Sequence, residues 1–165
     1  MRMRLDTYEP AYDVAQICLN GHLINEASVG YPDSNQEFCS KCGVKTIRVC
    51  QSCSARIRGA FRDSYIPENY VIPAFCSACG QPFPWTSAKI QTAHELAQEL
   101  ENISDEEKKI LEQSIDEIVK DTPKTTLAAT RFKKILFNTS KPVVDAFRDI
   151  LVDIASETAK KLLWP

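Results

Sequence analysis

The sequence predicts an α+β protein: short antiparallel strands in the first half, then a helical region of about four helices. Two observations lead there. Every cysteine lies between positions 15 and 85, where apolar runs are short and all five glycines fall. From 86 to 165 there is no glycine and no cysteine, and Ala, Leu, Ile, Lys and Glu dominate, a composition that favours helices. The chain is therefore read as two domains, 1–85 and 86–165.

Composition bounds the rest. Hydrophobic residues make up 44% and charged residues 25%, with a net charge of −2, ordinary for a soluble globular protein. No global field draws such a chain to nucleic acid or anionic lipid. The leading segment from Met1 to Val14 mixes Arg2, Arg4, Asp6, Glu9 and Asp13 without an apolar core, unlike a signal peptide. No run approaches the roughly 18 apolar residues of a membrane span. A cytoplasmic location is expected.

Seven cysteines leave one over in any disulfide scheme. Six form three Cys-x-x-Cys pairs, and the seventh, Cys18, has His22 four positions on. Counting that histidine gives eight donors, two full tetrahedral sets of the kind that hold Zn2+. In a reducing cytosol paired thiols read as metal ligands before disulfides. The string is Cys18, His22, Cys39, Cys42, Cys50, Cys53, Cys76 and Cys79. Each short pair can form a knuckle, a tight turn whose amides point at sulfur, and Gly21, Gly43 and Gly80 lie where such turns need positive φ. Gaps of 16 residues after His22 and 22 after Cys53 leave room for hairpin strands, the layout of tandem zinc ribbons.

Sequential pairing, the first four ligands on one ion and the last four on another, is the expected arrangement. Interleaved pairing, as in cross-braced domains, is the alternative. It is disfavoured because seven residues between Cys42 and Cys50 exceed a typical cross-brace spacing. An ordinary surface histidine at position 22 would leave a three-cysteine site open to water, but the spacing from Cys18 and the need for an eighth ligand favour ligation. Two zinc ions per chain in closed, four-ligand sites are structural, since catalytic zinc keeps a position open for water. They contribute on the order of 10 kcal/mol each to folding, replacing a core where buried aliphatics are few.

Four helices are expected beyond residue 85. The first starts at Thr86 or Ser87 and carries Ile90, Ala93, Ala97 and Leu100 at helical spacing. The second opens with Ser104-Asp105-Glu106-Glu107, a capping box, and presents Ile110, Leu111, Ile115, Ile118 and Val119 before Pro123. The third runs from about Thr125 to Phe137 with Leu127, Phe132, Ile135 and Leu136 inward. The last begins after Ser140 with Pro142 in its first turn, where a missing N–H costs nothing. It is expected to continue to about Leu163 with Val143, Phe147, Ile150, Leu151, Ile154, Thr158 and Leu162 on one face, packed on its neighbours or open to self-association. His94 reads as a solvated or partly packed residue. No internal repeat beyond the two metal sets is evident.

At Cys18-Leu19-Asn20-Gly21-His22, Ile57-Arg58-Gly59 and the run Pro73 to Trp85, with its Cys-x-x-Cys-Gly-x-Pro-Phe-Pro-Trp stretch, the chain resembles an uncharacterised bacterial zinc-ribbon family, a domain of unknown function. The resemblance covers residues 15–90 well and the helices loosely. It implies a ribbon-plus-helices fold and no activity.

Function is expected to be that of an interaction or regulatory adaptor that docks another protein. Phe83 and Trp85 belong either to the packed interior or to an open partner surface. Nucleic-acid binding is the alternative. Arg48, Arg56, Arg58 and Arg62 cluster around the second ribbon, and Lys124, Arg131, Lys133, Lys134 and Lys141 form a stretch without acidic residues. Against it, residues 1–85 balance eight basic with eight acidic side chains, and residues 95–121 are strongly acidic. An enzyme is not expected, for no Gly-rich phosphate loop, nucleophile elbow or HExxH motif is present. A membrane-surface role for the last helix is opposed by Asp145, Asp149, Asp153 and Glu157.

Overall fold

The computed structural model describes residues 11–62 and 69–165. Arg2, Arg4, Asp6 and Glu9 of the leader reading, and Asp63 and Glu68 of the charge balance, lie outside the described residues. The chain divides into two compact units, Met1–Gln81 and Pro82–Pro165. The compositional change near residue 86 falls within the first helix of the second unit.

Among the described residues the first unit holds five short strands: β1 (Tyr12–Val14), β2 (Gln16–Cys18), β3 (Leu23–Asn25), β4 (Thr46–Ile47) and β5 (Arg58–Phe61). Strand β2 lies between β3 and β4 in one antiparallel sheet, while β1 pairs with β5 in another. β5 lies between Cys53 and Cys76, within the second ligand set, yet pairs with β1, ahead of the first. The two ribbons are thus stitched into one unit rather than folded as independent hairpins. Its apolar interior is small, chiefly Val14, Ala15, Ile17 and Ile57.

Buried polar side chains compensate. Asp13 accepts from the amides of Val14 (2.6 Å), Val29 (3.0 Å) and Gly30 (3.0 Å). Gln16 Nε2 donates to the Gln36 carbonyl and to Thr46 Oγ1, both at 2.8 Å, and its Oε1 accepts from the Gln36 amide. Asn25 Nδ2 donates to the Tyr31 carbonyl and to Asn35 Oδ1. These clasps tie the segment 26–36 to β1, β2 and β3, satisfying groups whose burial would otherwise be costly.

The second unit contains five α-helices among the described residues: α1 (Pro84–Gln98), α2 (Asp105–Ile118), α3 (Thr125–Leu136), α4 (Lys141–Leu151) and α5 (Glu157–Leu163). Helix α2 packs on α1 and α3, α4 on α1, and α5 on α3. Leu111, Ile115, Ile118, Phe147 and Leu151 are fully enclosed, and Phe132 meets Phe147 edge to face at 5.5 Å. The capping box forms as read: Ser104 Oγ accepts from the Glu107 amide at 3.2 Å, and Glu107 Oε2 accepts from the Ser104 amide at 2.9 Å.

Three expectations need correction. Helix α1 begins at Pro84, not Thr86, because proline suits a first helical turn. The single long last helix is two helices. Val152 to Ser156 break it, the Ser156 amide bonding the Ile118 carbonyl (2.9 Å) while its Oγ accepts from the Ala159 amide (3.2 Å). That break turns α5 so that Ala155 and Ala159 are buried in place of Leu162, which is 40% exposed. Leu127, assigned to the inner face of α3, is 51% exposed, and Ala128 and Ala129 pack there instead. Small residues allow α3 close approach to its neighbours. No helix is long and apolar enough to cross a membrane, among the described residues.

Candidate metal centres

The eight donors fall into two groups, Cys18, His22, Cys39 and Cys42, and Cys50, Cys53, Cys76 and Cys79, each with its ligand atoms within 4.8 Å of one another. The grouping is sequential. Strand pairing explains the first. Cys18 ends β2 and pairs with Thr46 of β4, so antiparallel register sets Cys18 beside the Cys39–Cys42 turn that leads into β4.

Distances test whether the donors suit zinc. Zn–S bonds of about 2.3 Å and Zn–N bonds of about 2.05 Å at tetrahedral angles place sulfurs ~3.8 Å apart and sulfur ~3.5 Å from nitrogen. In the first group Cys18 Sγ lies 3.7 Å from Cys42 Sγ and 3.5 Å from His22 Nδ1, and Cys39 Sγ lies 3.6 Å from that nitrogen. In the second, Cys50 and Cys79 sulfurs are 3.8 Å apart and those of Cys53 and Cys76 3.7 Å. These separations match the edges of a tetrahedron with the donors at its corners, so each group could hold one zinc ion. All four positions are protein donors, which suits a structural site.

Three knuckles share one backbone design. The Gly43 amide donates to the Cys39 carbonyl (2.7 Å), Ser54 to Cys50 (2.9 Å) and Gly80 to Cys76 (2.8 Å). The residue after each second cysteine sits in the left-handed region, with φ of 73° at Gly43, 61° at Ser54 and 72° at Gly80. Sequence reading missed Ser54, though aligning Cys39-Ser-Lys-Cys-Gly43 with Cys50-Gln-Ser-Cys-Ser54 and Cys76-Ser-Ala-Cys-Gly80 puts it in the glycine position. Gly21, at φ 85°, turns the chain between Cys18 and His22.

Backbone amides prepare one sulfur in each group, Cys39 and Cys50, to ionise. The Ser52 amide approaches Cys50 Sγ at 3.4 Å and the Ala78 amide approaches Cys76 Sγ at the same distance. The Ser52 amide, against burial and helped by the Cys53 amide, lowers the Cys50 thiol to about 6. Burial pushes Cys39 up, but the Lys41 and Cys42 amides outweigh it and bring that thiol to about 6 as well. Burial pushes the Cys18 thiol up. Against the Ala55 amide, burial and the neighbouring Cys79, Cys76 and Cys50 thiols push Cys53 up to about 12. Metal-ligating sulfur must be thiolate, so each group holds one thiol readied to ionise and one that gives up its proton to the cation.

His94 does not join either group. It is half-buried on α1 with Nε2 3.0 Å from Asp116 Oδ1 on α2. Phe83 and Trp85 are 3% and 2% exposed and stacked on one another at 4.7 Å, so they belong to the interior and not to an open surface.

A family model described as an uncharacterised protein conserved in bacteria matches residues 11–163, nearly the whole chain. No curated protein and no solved structure matches it.

Proposed function

We propose a function from the premise that this chain belongs to an uncharacterised protein family conserved in bacteria: it is a zinc-stabilised protein-interaction module and not a catalyst. Two four-donor zinc sites hold the first unit, and the second unit carries the docking face. Neither donor set leaves a position for a metal-bound water, which supports a structural use of both ions.

The observation that carries the reading is a groove of about 340 Å³ at the junction of α3, α4 and α5, floored by Phe132, Leu136, Phe137, Val144, Leu163 and Trp164. Phe137 is 85% exposed. Covering such a ring contributes roughly 1.5–3 kcal/mol, enough to anchor a partner. Lys133 and Lys141 stand on the rim, and among the described residues no acidic side chain lines the groove. Charge complementarity therefore selects a partner protein's amphipathic segment with apolar anchors and acidic flanks.

A photoreactive phenylalanine analogue at position 137 tests this in bacterial lysate. The expected product is one polypeptide cross-linked through an acid-flanked apolar segment, lost in a Lys133→Glu/Lys141→Glu double variant that keeps its zinc. Cross-links only to a second copy of the chain would replace the proposal with self-association. Absence of any specific cross-link would reject it.

A further inference from the structure

We propose that the first two cysteine hairpins of the N-terminal unit form a binding site for single-stranded nucleic acid. The proposal goes beyond the protein-docking reading and stands on different residues, in the other unit of the chain.

Charge is the first observation. From Phe38 to Arg62 the chain carries Lys41, Lys45, Arg48, Arg56, Arg58 and Arg62 and no acidic residue. Two of these cations are engaged: Arg58 lies 4.6 Å from the centre of the Tyr12 ring, and Arg62 Nε lies 3.6 Å from Asp13 Oδ2. Lys41, Lys45, Arg48 and Arg56 are exposed and enter no ion pair among the described residues. Three thiolates and a neutral imidazole around one Zn2+ leave a single negative charge, and four thiolates leave two. The six cations outnumber them, so this segment is locally positive although the whole chain is not.

Geometry is the second. Phe38 faces Lys45 across an antiparallel bridge just outside the first knuckle, and Val49 faces Arg56 in the same way outside the second. Directly opposed residues project to the same side with Cβ atoms about 4.5–5.5 Å apart. Each hairpin therefore offers an exposed apolar side chain beside a long cation, with Phe38 56% and Val49 38% exposed. The third knuckle has Phe75 at the equivalent first position but Pro82 at the second, and so lacks the cation.

An exposed ring next to flexible cations, held on a metal-stiffened turn, matches what an unpaired nucleotide presents: a flat base and a phosphate. Base stacking on an aromatic face is tolerant of sequence, and lysine or arginine follows the backbone. A duplex hides its base faces, so the Phe38 contribution is available to single strands alone. Val49 offers apolar contact but no ring, which makes Phe38 the principal stacking residue and Lys45, Arg56, Arg48 and Lys41 the phosphate contacts.

The test is fluorescence anisotropy of labelled oligothymidylate and oligouridylate of about 15 nucleotides against the full zinc-loaded chain. Four phosphate contacts predict a log–log salt slope of about −2.8 for either strand, and Lys45→Ala or Arg56→Ala should each make it shallower by about 0.7. Phe38→Ala should weaken binding between about fivefold and a hundredfold at unchanged slope, the range that losing one base stack produces. A Lys108→Ala/Lys109→Ala variant on α2 should bind as the parent does. Zinc counts from native mass spectra verify that each variant keeps both ions. Unequal affinity for the two oligonucleotides would tell DNA from RNA as the ligand. No binding at about 50 mM salt, binding unmoved by these variants, or equal affinity for a duplex would overturn the proposal. Phe137→Ser separates it from the docking reading, since that change should leave oligonucleotide affinity intact.

Discussion

Replacing Gly59 by alanine adds one methyl group at a position of the first unit hemmed in by main chain. Gly59 lies in β5, and a Cβ there would sit 2.2 Å from the Glu26 carbonyl oxygen and 2.9 Å from both the Ala15 nitrogen and the Asp13 carbonyl carbon. All three are main-chain atoms, so no side chain can swing aside. The same neighbourhood carries the Ala60 amide to Glu26 carbonyl bond (2.8 Å) and the Ala15 amide to Ile57 carbonyl bond (2.9 Å). Relief requires β5 to separate from β1 or from Glu26. Overpacking usually costs about 1–3 kcal/mol, and a clash with backbone on both sides belongs at the upper end. Gly43 and Gly80 are the internal controls. Their Cβ would meet nothing within 4 Å, and the only cost is positive φ, roughly 1–2 kcal/mol less the unfolded-state entropy that alanine removes. Hydrogen exchange followed by mass spectrometry on the zinc-loaded chain reads the difference locally. Protection over β1 and β5 should fall by about a hundredfold in Gly59→Ala, and by about tenfold or less around the knuckle in Gly80→Ala. Unchanged protection in Gly59→Ala, or a larger loss in Gly80→Ala, would refute the steric argument.

Ser54→Gly should stabilise the second centre by roughly 0.5–1 kcal/mol, since it relieves the left-handed strain that Gly43 and Gly80 avoid; a higher denaturant midpoint for zinc release checks it. Native mass spectrometry should find two zinc ions per chain and one in either His22→Ala or Cys76→Ser, each loss confined to its own group. Asp13→Asn should cost roughly 2–3 kcal/mol, because one acceptor oxygen remains for amides that now serve two. The amides of Val29, Val14 and Gly30, with Arg62, outweigh burial and hold the Asp13 carboxyl below its usual value near 3.8. Its stabilisation is therefore fully present above that value and is lost as pH falls through the lower folded one. Urea unfolding of the zinc-loaded chain should then give the same Asp13→Asn penalty at every pH from about 5 to 8; a penalty that shrinks across that range would contradict the assignment.

The features legible in the sequence are those encoded by neighbours in the chain. Cys-x-x-Cys spacing specifies a knuckle, Ser104 and Glu107 specify a helix start, and Pro142 fits only a first turn. Eight donors in two sets follow from the same local chemistry. Long-range contacts decided the remainder. β5 could pair within its own ribbon or with β1, and the close approach of Gly59 to Ala15 and Glu26 selects β1. The apolar spacing from Val143 to Leu162 suits one continuous helix, yet the Ile118 carbonyl at the end of α2 takes the Ser156 amide and breaks it in two. Leu127 and Phe137 lie outside and two alanines lie inside because the distance between packed helices, not the hydrophobicity of a single residue, determines what fits between them. Local sequence determined where metal binds and where helices begin. Only tertiary packing decided which strands meet, where the last helix breaks and which apolar side chains face solvent, because each of those choices depends on partners far away in the chain.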